Sequence, residues 1–357
     1  MRQNFSRYIL TILVLGTALA LTSCGPEEEE RGGGTSPWQL FVSSSEVSGD
    51  VSLVDIPSNE IRTQNMNLLA TNNPVTRMVN FRDYLFCFVP LEHKIVVLSL
   101  VNGDNFAEVE TIDFSEEEIE PIDIAFGNAT TAYVIFRNSN EVKVVDIHYL
   151  GDGSDRCRVC SAIDIGVPSS SIAVVGNRIF ATNPKADRVS YFSTTTEKVQ
   201  TFDNLAPQPM YIEAVPNGEE VVVISLGGGK RGDTRELSEC VATFINVPEE
   251  RISSATPIFD SQTTQFTTEA RGIAITQRDY AFIPTNNTVL RIDLRGDRSR
   301  QTKILSRPME SIVYNPIRDE ILLVEEGRQR LRIHSSTGAE IDTYALPMSP
   351  IESVSPR

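Results

Sequence analysis

Apolar and polar residues alternate in short runs along most of the chain, and seven of these runs end on a polar residue. Val142-Lys143-Val144-Val145-Asp146 and Val289-Leu290-Arg291-Ile292-Asp293 are typical. The ends of the seven runs are Asp55, Ser99, Asp146, Ser193, Asn246, Asp293 and His334, spaced 41 to 53 residues apart. Alternation with a period of two, and no helical spacing, predicts strands; a repeat of this length predicts propeller blades. Upstream of each run lies a second strand, such as Leu85-Phe86-Cys87-Phe88 or Ile321-Leu322-Leu323-Val324. Before that comes an inner strand, often opened by proline, as at Pro121, Pro168 and Pro308. Polar turns join them, among them Gly127-Asn128, Gly176-Asn177 and Pro216-Asn217-Gly218. The predicted fold is all-β: a seven-bladed propeller of four-stranded antiparallel blades over residues 38–357. The chain opens at Trp38 with a second strand, so the first blade lacks its inner one. Pro350-Ile351-Glu352-Ser353-Val354 echoes Pro308-Met309-Glu310-Ser311-Ile312. The C-terminal strand is therefore expected to complete the first blade and close the ring, which protects the sheet edges. A pair of β-sandwiches explains neither the period nor the matching tail.

The first 37 residues have no such pattern. Arg2 and Arg7 precede an apolar run from Tyr8 to Leu21, interrupted only by Thr11, Gly16 and Thr17. This is the length of a signal-peptide core and short for a membrane-spanning helix. It closes on Leu21-Thr22-Ser23-Cys24, which resembles the bacterial lipobox. The resemblance implies that residues 1–23 are a lipoprotein signal peptide and that Cys24 is acylated, carrying palmitate-like chains. An ordinary signal peptide cleaved near Ser23 is the alternative. Several acyl chains on one residue anchor stably where one binds only marginally. Residues 24–37 read as an acidic, glycine-rich tether, with Glu27 to Glu30 and Gly32 to Gly34 unable to bury a core. By analogy with Gram-negative lipoproteins, a residue other than Asp after the Cys implies the outer membrane, with the periplasmic and the surface face both open.

Charge narrows the partners. The chain carries a net charge of −16, and losing Arg2 and Arg7 with the leader makes it more acidic still. Such a body repels nucleic acid and anionic lipid surfaces. Cationic ligands, metal ions or basic protein partners fit better. A monomeric propeller with a protein partner or a small ligand, tied to the membrane by lipid alone, is the expectation. Of the remaining cysteines, Cys157 and Cys160 form a C-x-x-C, for which an extracytoplasmic disulfide is the first candidate. Residues three apart in an extended strand lie about 10 Å apart, so pairing requires a turn there. Cys87 and Cys240 fall in different repeats and are expected as buried thiols.

The blades resemble the YVTN/lactonase-like propeller repeats of exported bacterial proteins. Phe180-Ala181-Thr182-Asn183 approximates the Tyr-Val-Thr-Asn tetrad, and Asn140 to Asp146 approximates the strand that follows it. The resemblance covers residues 38–357 and implies the fold. The function it implies is open, because so reused a fold hosts many activities.

No catalytic constellation assembles from the sequence. His93, His148 and His334 lie on or beside third strands, and no G-x-S-x-G occurs. Trp38 is the only tryptophan, where a quinone-cofactor propeller shows several. Gly227 to Asp233 lacks P-loop spacing, and Gly151 to Asp155 has too few acids for a calcium loop. No cofactor is expected beyond the lipid on Cys24. In register, the starts of the inner strands bring Arg77, Asp123, Tyr211, Arg271, Glu310 and Glu352 to one channel mouth. A polar ring there suits a small ligand, a metal ion or a basic peptide, against the plainer reading of a solvated rim of paired charges. The leading expectation is a non-enzymatic binding or scaffolding lipoprotein of the cell envelope, with a subunit of an envelope assembly machine as a further possibility. The alternative is a lactonase-like, metal-assisted hydrolase, which needs channel carboxylates joined by His or Asn.

Overall fold

The computed structural model describes residues 38–44, 51–56, 64–66, 71–100, 107–148, 150, 159–196, 198–227, 240–258, 269–325, 327, 330–345 and 351–356. These strands form seven four-stranded antiparallel sheets. One correction to the expected seven blades follows. Six sheets, not seven, are blades of four consecutive strands; the remaining sheet is a composite of the two ends of the chain. Its cause lies in the sequence. Trp38–Ser44, Val51–Ile56 and Gln64–Met66 supply three strands without an inner one, and Ile351–Pro356 pairs antiparallel beside Trp38–Ser44, with Val42 opposite Val354.

The six sequential blades are numbered here in chain order. Their inner strands are Arg77–Phe81, Pro121–Phe126, Ile172–Val175, Pro209–Ala214, Ala274–Ile275 and Met309–Asn315. Each inner strand touches the next, and Ile351–Pro356 touches those of blades one and six. The second strands, such as Tyr84–Val89 and Glu320–Glu325, are buried almost throughout, as strands covered on both faces must be. The outer strands, such as Val159–Asp164 and Glu340–Ala345, are polar and largely exposed.

Apolarity thus peaks at mid-blade, and the core lies between neighbouring sheets. Phe41 and Val51 of the composite sheet pack with Met78, Leu85 and Cys87 of blade one. On the other side, Leu40 and Val42 pack with Leu322, Val324 and Leu331 of blade six. Each fully buried side chain of this size stabilises the fold by about 1.5–3 kcal/mol. Stacked rings of Phe81 and Phe126, 3.9 Å apart, join blades one and two. Ion pairs join others: Arg178 to Glu250 at 2.6 Å, Arg298 to Glu220 at 2.5 Å, and Arg278 to Asp319 at 2.9 Å.

The third inner strand departs from the expected start at Pro168. Ser170 and Ser171 both bond to the single residue Thr182: the Ser170 N–H donates to the Thr182 carbonyl at 3.1 Å, and the Thr182 N–H donates to the Ser171 carbonyl at 3.0 Å. The Ser170 hydroxyl donates to the Met210 carbonyl at 2.7 Å, and the Ser171 N–H donates to Thr182 Oγ1 at 3.0 Å. Two residues set against one interrupt the regular register, which starts at Ile172 opposite Ala181.

Candidate functional site in the central channel

Several inner strands begin with a β-bulge. The register shifts between Pro121 and Asp123, between Pro209 and Tyr211, and between Met309 and Ser311. A bulge re-aims the side chains beside it. Ile122, Tyr211 and Ser311, at these bulges, are among the residues that line a cavity of about 1020 Å³. Arg77, Tyr211 and Glu213 give it polar groups, while Ile275, Ile312 and Val313 give it an apolar wall.

Two charged groups are distinguishable around it. In the first, Arg77 binds Asp123 at 2.7 Å. Asp123 is buried, at 2% exposure, and does not line the cavity. Its carboxylate also accepts from the N–H groups of Ile124 and Ile172 and from the Ser171 hydroxyl, at 2.8, 3.2 and 3.1 Å. Asp123 is thus a brace between blades one, two and three. Glu213 belongs to the same neighbourhood. Its side chain is open to water inside the channel, yet protein surrounds it, as fits a group on a tunnel wall. Burial pushes the Glu213 carboxyl up to about 7; Asp123 adds to the push, and Arg77 and the Ala214 N–H oppose it.

In the second group, Arg271 pairs with Glu310 at 3.3 Å. Burial raises the Tyr211 phenol, with Glu269 adding to the effect and Arg271 opposing it. Of the six mouth residues expected from the sequence, then, Arg77 and Tyr211 line the cavity, Asp123 braces it, and Arg271 and Glu310 pair with each other. Glu352 lies in the strand Ile351–Pro356 of the composite sheet; its side chain lies outside the described residues. Sequence reasoning missed Glu213. The available signal was its place two residues after Tyr211, on the same face of one strand.

The other expected sites fall elsewhere. Cys160 is exposed on the outer strand of blade two, and Cys157 lies outside the described residues, as do Leu21, Thr22, Ser23 and Cys24. The loops 228–239 and 151–158 lie outside them too. Cys87 and Cys240 are buried thiols, and burial pushes Cys240 up to about 12. His93 follows a 3-10 turn ahead of a third strand, and His334 lies buried in the third strand of blade six. Burial lowers the His334 imidazole, and its Nδ1 lies 3.2 Å from the Gly338 carbonyl. Among the described residues no three His, Cys, Asp or Glu side chains gather as metal donors, and none of the cavity-lining residues is His.

The Asn183 side chain acts as a local clip. The Asn183 carbonyl oxygen accepts from the Ser190 N–H and hydroxyl, and its amide donates to Ser169.

These features define an all-β propeller of four-stranded antiparallel blades with a mixed polar and apolar channel. Solved structures share the architecture. A protein from Lactobacillus plantarum is 12% identical with a TM-score of 0.66, over 90% of this chain and 99% of that one. A functionally unknown protein from Desulfotomaculum acetoxidans is 11% identical with a TM-score of 0.62, over 89% and 98%. Hydrazine synthase of Kuenenia stuttgartiensis is 14% identical with a TM-score of 0.58, over 73% and 76%. At such identities the likeness is one of fold alone. No family model matches the sequence, and no curated protein matches it either.

Proposed function

We propose that this chain is an exported, lipid-anchored propeller of the cell envelope that binds a ligand in its central channel without converting it. The observation that carries the binding site is the cavity of about 1020 Å³, where Arg77, Tyr211 and Glu213 face an apolar wall. Concave sites with a few polar groups on apolar surroundings are the common form of small-molecule sites. Non-enzymatic action is favoured by the chemistry of the lining. Its titratable groups are the Glu213 carboxyl, the Tyr211 and Tyr314 phenols and the guanidiniums of Arg77, Arg82 and Arg137, of which Arg77 is paired with Asp123 and Arg137 with Glu120. The Ser311 hydroxyl in the lining has no base as hydrogen-bond partner among the described residues.

Export and anchoring rest on the apolar run Tyr8 to Leu21 and on Leu21-Thr22-Ser23-Cys24. The repeat resemblance to exported YVTN/lactonase-like propellers agrees with this address. An acidic body on a lipid tether suits a basic protein partner or a cationic ligand.

The anchor is tested by growing cells with labelled palmitate. The native chain should take up label and sediment with membranes, and Cys24→Ala should do neither. A native chain that stays unlabelled overturns the lipoprotein reading. Cross-linking in intact cells followed by capture of the native chain then tests for envelope partners.

A further inference from the structure

Among the described residues, the Glu213 carboxyl in the channel has no ion pair of its own. Among the described residues, the basic group that acts on Glu213 is Arg77, and Arg77 is held by Asp123 at 2.7 Å. Arg137, which also lines the cavity, pairs with Glu120 at 3.1 Å. On the adjoining wall, blade five contributes Ile273, Ala274 and Ile275, and blade six contributes Ile312 and Val313 beside Ser311. Tyr314 of blade six also lines the cavity. Tyr314 donates to Asp319 at 2.9 Å, and Arg271 pairs with Glu310.

We propose that the channel takes a small organic cation, an amine or guanidinium on a short hydrocarbon, with its charged end on Glu213 and its hydrocarbon on the wall of blades five and six. The proposal rests on the reading of the channel as a binding site, and it names the ligand class and its control by protons. Three facts converge on it. An ionised Glu213 in a confined space lacks the ion pair that such a carboxylate needs. The adjoining wall of blades five and six is apolar, which disfavours a fully hydrated inorganic ion and favours a hydrocarbon. Asp123 already neutralises Arg77 and Glu120 neutralises Arg137, while Arg82 lies over the Phe81 ring at the end of the inner strand of blade one, the competing site that an anionic probe tests.

Proton control follows from the same geometry. Glu213 is ringed by Asp123 from blade two and Arg77 from blade one, with Tyr211 on its own strand. Confinement and the Asp123 charge hold its proton to about pH 7. A cation must displace that proton, so binding strengthens as pH rises through neutrality. If the cation binds only the ionised form, affinity should fall about thirtyfold between about pH 8.5 and about pH 5.5.

The test uses purified protein and calorimetric titration with n-hexylammonium, against n-hexanol and hexanoate as neutral and anionic counterparts of equal length. The expected result is binding of hexylammonium near pH 8.5, about tenfold or more weaker near pH 5.5, with hexanol and hexanoate weaker at both. Glu213→Gln should bind hexylammonium about tenfold more weakly near pH 8.5 and lose the pH dependence. Ile312→Ser should weaken binding at every pH and keep the pH dependence, since it alters the wall alone. Hexanoate binding as tightly as hexylammonium overturns the cation assignment while leaving the channel as a ligand site. Failure of all three probes at both pH values overturns the reading of the channel as a site for this class altogether. A variant that fails to fold is bypassed by following the ¹³C-labelled Glu213 carboxyl by NMR in the native chain. Its titration should move to lower pH when hexylammonium is present, and an unmoved titration overturns the contact.

Discussion

Asp123 shows how one side chain can hold three blades. It accepts from Ser171 and Ile172 of blade three, bonds its own neighbour Ile124, and binds Arg77 of blade one. Removing a buried carboxylate leaves those donors without an acceptor, which costs more than the bonds themselves contribute. Asp123→Ala should destabilise the protein by about 2–4 kcal/mol, read from the shift of a urea unfolding midpoint. Asp123→Asn should recover about half of that loss, because its carbonyl keeps one acceptor for Ser171 or Ile172. Glu213 works in the opposite sense. Its folded carboxyl sits above its unfolded value, near 7 rather than 4.5. Between those values the folded state holds more protons than the unfolded one, so stability falls as pH rises from about 4.5 to about 7 and is level above that. Glu213→Gln removes this penalty. Near pH 8 the variant should be more stable than the native chain by about 1 kcal/mol, the full shift being discounted because channel water screens the charge. Near pH 4 the two should unfold together, and a variant less stable at pH 8 would contradict the assignment. Asp123 was legible in the sequence as a polar residue at an inner-strand start, but its bracing role was not. That role depends on Ser171, 48 residues later, and only the ring brings the two together.

At the scale of elements, the composite sheet carries the closure of the molecule. Its inner strand Ile351–Pro356 pairs with Trp38–Ser44 and lies against the inner strands of blades one and six. A chain ending at Ala345 would leave Trp38–Ser44 as an open edge with unpaired backbone groups. Such edges recruit other chains. The truncated protein should melt several degrees lower and form dimers or larger species on size-exclusion chromatography, and a synthetic peptide of residues 346–357 should reverse both effects. A monomeric truncated chain with an unchanged melting temperature would show that closure lies elsewhere. The repeat made this sheet legible, since the tail copies the opening of blade six almost residue for residue. The start of the third inner strand was less legible. Pro168 opens it in sequence, as Pro121 and Pro308 do elsewhere, yet the regular strand begins at Ile172 because Ser170 and Ser171 both pair with the one residue Thr182. Proline spacing records where a turn ends. It does not record where two residues will share one partner across the sheet.

The whole molecule adds a field to the local contact. With a net charge of −16, the body attracts cations over distances set by the ionic strength. That attraction reaches roughly 30 Å near 0.01 M salt and about 8 Å near 0.15 M. The contact with Glu213 is different, because walls of protein limit the ions that can enter between the partners. The two contributions are therefore separable. Raising salt from about 0.01 M to about 0.15 M should weaken hexylammonium binding by about two- to fivefold, as long-range attraction is screened. Glu213→Gln should lose the greater part of its affinity through the missing contact while keeping a similar salt slope, since one charge in so acidic a chain changes the distant field little. If the variant instead loses the salt slope along with the affinity, Glu213 itself is screened by free ions. The cavity would then be an open vestibule in bulk solvent, and the raised carboxyl would need a source other than confinement.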